Sequence, residues 1–84
     1  MKNYIKFKIG STFKERFLAY YINGKGYSYK YYIVNIFKDK SNGENLIVYK
    51  YYGKHKQWWH YEVDYLWNFT EKLKIGLFIL DVTL

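Results

Sequence analysis

The sequence predicts a mainly β protein, a small antiparallel barrel or strongly bent sheet of five to six short strands. Three observations point that way. Runs rich in Tyr, Ile, Val and Phe recur along the chain and favour a pleated, half-buried surface. Short polar segments carrying Asn-Gly or Gly separate these runs. The chain has 84 residues, enough for one compact domain with one modest core.

The elements follow in order. Tyr4 to Ile9 alternates, with Ile5, Phe7 and Ile9 on one side and Lys6 and Lys8 on the other, so it reads as a strand with one wet face. Gly10-Ser11 ends it. Residues 12–22 admit two readings. Thr12-Phe13-Lys14-Glu15 fits a capping box that starts a helix, with Phe13, Phe17 and Tyr20 or Tyr21 at helical spacing. The other reading, favoured by Tyr20-Tyr21-Ile22, is a strand from Phe17 to Ile22 closed into a hairpin by Asn23-Gly24-Lys25-Gly26. Tyr27 to Phe37 is the clearest strand. Residues 38–45 form a polar hairpin loop in which Asn42-Gly43 supplies positive φ. Leu46 to Tyr52 returns, residues 53–56 turn again, and Gln57 to Val63 continues the sheet. Asp64 to Thr70 is a short helical turn, because Leu66, Phe69 and Leu73 lie three and four apart. Leu73 to Leu84 closes the chain as a strand, and its run Leu77-Phe78-Ile79-Leu80 is apolar on both faces, which predicts cover on both.

Composition narrows the function. The chain has no cysteine, which excludes disulfide scaffolds, thiolate metal sites and thiol nucleophiles. No apolar run reaches the length of a membrane span, and no hydrophobic leader follows Met1-Lys2, so the expected location is the cytoplasm, without membrane contact. Acid–base chemistry needs titratable groups whose environments drive their pKa values apart. His60 and Glu62 share a strand face, but a surface histidine beside a solvated carboxylate is the plainer explanation, and His55 falls on the opposite side. We therefore expect no enzyme, no cofactor and no metal.

Net charge is +7, and 21 of the 84 residues are aromatic, 12 of them Tyr. Residues 1–60 carry +9 and residues 61–84 carry −2, so the charge is polarised along the chain. Lysines that merely keep an aromatic protein in solution would also raise the charge. Two runs interleave cations with rings. Lys50-Tyr51-Tyr52-Gly53-Lys54-His55-Lys56-Gln57-Trp58-Trp59 surrounds one turn, and Lys25-Gly26-Tyr27-Ser28-Tyr29-Lys30 forms the other. Ammonium groups neutralise phosphates, and exposed rings stack bases. Lysine lacks the planar fork that reads guanine edges, so specific base reading is disfavoured. The expected contact residues are Lys25, Tyr27, Tyr29, Lys30, Lys50, Tyr52, Lys54, Lys56 and Trp58. The expected partner is nucleic acid or an acidic protein surface. A second copy of the chain is a further candidate, because exposed Tyr and Trp are also interface residues.

The order Tyr32-Ile33-Val34, then Ile47-Val48-Tyr49, then Gly53, then Trp58-Trp59-His60 resembles a family of short bacterial domains of unknown function with an SH3-like barrel. In that family a Tyr-x-Val strand is followed by a Val-Val-Tyr strand, a glycine turn and a Leu-Trp-Val strand. The resemblance spans residues 20–66 and departs at Tyr61-Glu62, where the family commonly has Arg-Pro. It implies a barrel and a buried Trp59, and no activity. Small SH3-like barrels bind peptides, nucleic acids or other domains, so the fold alone does not choose among partners. The absence of proline and a single arginine among 14 basic residues suggest an AT-rich genome, and a short, basic chain of that origin also fits a phage or plasmid protein that blocks a host nucleic-acid enzyme or defence complex.

Overall fold

Two sheets and one helix make up the computed structural model, which describes residues 7–53 and 57–81. The strands are β1 (Thr12–Glu15), β2 (Tyr20–Ile22), β3 (Lys25–Tyr27), β4 (Lys30–Lys38), β5 (Asn45–Gly53), β6 (Trp58–Tyr65) and β7 (Phe78–Leu80), with the helix α1 (Leu66–Lys74) before the last strand. The main sheet is antiparallel in the order β6-β5-β4-β1-β7, and β2-β3 form a separate ribbon. The mainly β expectation therefore holds, in its open-sheet rather than its barrel form. After β6 the chain crosses one face as α1 and delivers β7 to β1 at the far side of the sheet. The two strands whose pairing would close a barrel thus lie at opposite edges.

One face of the sheet holds the core. Phe13, fully buried, sits at its centre with its ring 4.9 Å from Tyr31, 5.2 Å from Tyr49, and 5.0 Å from both Phe69 and Phe78. Ile33 and Ile47 fill the sheet side, while Phe69 and Leu73 come from α1, one turn apart on the same helix face. Tyr31 donates its hydroxyl to the Glu15 carboxylate at 2.8 Å. Burial, and then that hydrogen-bonded carboxylate, push the Tyr31 phenol far above its usual range. Burial does most to raise Tyr49, with the charges of Asp64 and Glu62 adding to it, and its pKa is pushed up to about 12.

Several expected elements change. Of the two readings of residues 12–22, the strand and hairpin hold over Tyr20–Ile22, the expected strand loses Phe17 to Ala19, and Thr12–Glu15 is a strand instead of a helix start. The would-be capping residues are engaged across the sheet, since Thr12 donates to Asp81 and Glu15 accepts from Tyr31. The strand expected over Tyr4 to Ile9 lies partly outside the described residues, and Ile9-Gly10 is a turn. Leu73 belongs to the helix instead of the last strand. That helix ends at Gly76 (φ 82°), where Gly76 N–H bonds Leu73 C=O and Leu77 N–H bonds Lys72 C=O, the Schellman pattern. β7 is covered on one face only: Phe78 is buried, whereas Leu77 and Ile79 are exposed. Asn23-Gly24 does turn a hairpin, with positive φ at both residues (51° and 78°) as a type I′ turn requires.

Candidate nucleic-acid interface

Strand parity sorts the rings onto two sides. On β5, Ile47, Tyr49 and Tyr51 point to the core, so Leu46, Val48, Lys50 and Tyr52 point away from it. Register with β6 places Tyr52 opposite Trp59, Lys50 opposite Tyr61, Val48 opposite Val63 and Leu46 opposite Tyr65. On β4, Tyr32 lies opposite Lys50, and Lys30 is two residues away on the same face. Lys14 of β1 lies opposite Lys30. A bulge between Ile33 and Asn35 then shifts the register, so Ile36 turns to the core and Phe37 joins the open face.

The open face is thus a platform that α1, packed on the other side, leaves uncovered. Trp59 is its centre, 43% exposed. The Tyr32 ring meets it edge-on at 5.7 Å, the Tyr52 ring at 5.5 Å, and Lys50 Nζ lies 4.5 Å from the indole centroid. Lys30 Nζ lies 5.7 Å from the Tyr32 ring. Such cation–π contacts hold an ammonium against a ring while leaving its outer hydrogens toward water. Tyr61, 59% exposed, extends the platform toward the edge of the sheet. β4, β5 and β6 place no carboxylate on this side: Glu62 and Asp64 point the other way, and Asp64 pairs with Lys72 at 3.4 Å.

Of the nine expected contact residues, Lys30, Lys50 and Tyr52 stand together on this platform. Lys54 and Lys56 lie outside the described residues. Trp58, 56% exposed, projects from the opposite side of β6, toward His60 at 6.1 Å. Lys25 and Tyr27 sit on the β2-β3 ribbon, where Tyr27 stacks on Tyr20 at 5.5 Å. Tyr29 is half-buried, 4.8 Å from the Tyr51 ring, and belongs to the rim of the core. The two cation–ring runs are therefore separate, and the run around the 50–58 bend divides between two faces.

Trp59 corrects the expectation of a buried indole. Its partner across the hairpin is Tyr52, which faces outward because Tyr51 faces inward. Trp59, Tyr61, Tyr32 and Lys14 were not among the expected contacts. Their signal in the sequence is the i, i+2 spacing of Lys50 and Tyr52 combined with the pairing of Gly53 with Trp58, which carries that face onto Trp59 and Tyr61.

No family model matches the chain, and neither does a characterised protein or a solved structure. Among the described residues no helix is long and apolar enough to cross a membrane, and no three His, Asp or Glu side chains converge on a metal-sized site.

Proposed function

We propose that the open sheet face binds single-stranded nucleic acid without strong sequence preference. The observation that carries this reading is the joint placement of Trp59, Tyr61, Tyr52 and Tyr32 with Lys14, Lys30 and Lys50 on one face, which β4, β5 and β6 leave free of carboxylates and on which Asp81, beside β1, accepts from Thr12. Bases stack on rings whatever their identity, and ammonium groups beside the rings meet the phosphates. Lysine point charges give attraction without edge-specific reading. The test is titration of a fluorescent oligonucleotide with the full chain. Trp59→Ala should weaken binding about 5- to 150-fold, the range of one stacked base at roughly 1–3 kcal/mol. Unchanged affinity in that variant would rule the face out.

A second reading is supported by the β2-β3 ribbon. Phe17, Leu18, Tyr21 and Ile22 are exposed there. No carboxylate occurs from Arg16 to Lys30. An apolar patch with a basic border suits an acidic protein surface, as an inhibitor of a host nucleic-acid enzyme or defence complex would need. In that case Tyr21→Ser, and not Trp59→Ala, abolishes capture of the partner.

A further inference from the structure

The two edges of the main sheet differ in a way that bears on assembly. β7 is three residues long, a short edge of the kind that resists pairing. β6, at the other edge, is eight residues long and pairs with β5 in unbroken register from Trp58 to Tyr65. Every second N–H and C=O of such a strand points outward. Soluble proteins usually blunt such an edge with charged side chains, lysine above all, with proline or with a bulge. β6 has no lysine, proline or bulge, its charged side chains are Glu62 and Asp64, and no Lys or Arg occurs anywhere from residue 57 to residue 71, although the chain has 14 of them.

We propose that β6 pairs antiparallel with β6 of a second copy, about a two-fold axis through Tyr61. The register follows from the side chains. Antiparallel self-pairing that keeps like faces together must centre on a residue. Centring on Glu62 would set two carboxylates face to face, which is destabilising. Centring on His60 would set Glu62 against Trp58. With Tyr61 at the centre, His60 lies opposite Glu62 of the other copy, so no two carboxylates meet, and each Trp59 faces a Val63, an aromatic–β-branched pair. Asp64, the other acid of the strand, is already held by Lys72 and by Asn68 at 3.0 Å, so its charge does not face the partner unpaired.

The axis stands perpendicular to the sheet, so both open faces lie on the same side. Two five-stranded sheets become one of ten strands, with the Trp59 and Tyr61 rings of the two copies adjacent across the join. The inference is independent of what that face binds, because it rests on the edge and its register.

The full chain contains no cysteine, so single cysteines report the register directly. Paired residues across an antiparallel ladder have Cα atoms about 4.5–5.5 Å apart, within the roughly 4.4–6.8 Å span of a disulfide. Tyr61→Cys should oxidise to a covalent dimer, whereas Val63→Cys, about 14 Å from its copy at ~3.4 Å per residue, should not. Sedimentation of the wild type should show a dimer. Tyr61→Lys, which sets two cations at the axis, should show a monomer with unchanged circular dichroism. A wild type still monomeric at about 1 mM would overturn the proposal. So would a folded Tyr61→Lys that stays dimeric, or a Tyr61→Cys that cross-links no faster than Val63→Cys.

Discussion

Trp59 and Trp58 are neighbours in sequence with opposite surroundings, and one interval of strand parity decides between them. Trp58 lies opposite Gly53 on the side of Tyr51 and His60, while Trp59 lies opposite Tyr52 and takes Lys50 over its ring. Gly53 is there because the His60 ring fills the space a side chain would need: a Cβ at that position would lie 2.5 Å from His60 Nε2. Gly53→Ala should therefore cost about 1–3 kcal/mol in urea unfolding, as overpacking does. Most of that cost should vanish in a His60→Ala background, where the ring is gone. On β4, Tyr31→Phe removes the hydroxyl that donates to Glu15 and should lower stability by about 1 kcal/mol. Phe13→Ala, which takes out the ring that four others pack around, should cost about 3–5 kcal/mol, enough to unfold a domain this small. Lys30, Lys50 and Tyr52 are legible from runs that interleave cations with rings, and strand parity sets the three on one face. Trp59 is not, since a Trp-Trp pair gives no parity of its own.

The elements show where local signals were sufficient and where they were overruled. Asn23-Gly24 forms its hairpin as written, because only residues tolerant of positive φ can fill both central positions of that turn. The loop after β4 is likewise local. Asp39 accepts from the Ser41 N–H and hydroxyl, which lowers its carboxyl pKa, and Asn42 accepts from Glu44 N–H. The helix after β6 was visible from Leu66, Phe69 and Leu73, although it runs further than the turn the spacing suggested, because Gly76 and not Thr70 stops it. The bulge in β4 was invisible. Uninterrupted alternation from Tyr31 would turn Phe37 inward, but the extra residue at Val34 sends Ile36 to the core instead. The strand-like end of residues 12–15 was hidden behind a capping pattern whose Thr and Glu find partners far along the chain.

At the scale of the whole molecule, a core made largely of rings sets its own pH limit. Tyr31, Tyr49 and Tyr51 all have phenol pKa values raised, chiefly by burial. In the unfolded chain these phenols ionise near the ordinary tyrosine value of about 10, while the folded state keeps them neutral. Above that value the unfolded state releases protons that the folded state retains, so stability present below pH ~10 is lost as pH rises toward the folded values. Urea midpoints should be level up to that pH and fall steeply beyond it, and Tyr49→Phe should soften the fall. Closure into a barrel was the one global feature suggested by resemblance that the chain does not adopt. Among the described residues, its absence leaves both the platform and the β6 edge uncovered. The claim that this platform meets phosphates is tested most directly by oligonucleotide affinity as a function of salt. Three lysines on the face predict a slope of log K against log salt of about −2, some 15- to 20-fold weaker binding from about 50 to 200 mM, with the slope reduced by Lys50→Gln. A flat salt response, or no binding at low salt, would contradict the account.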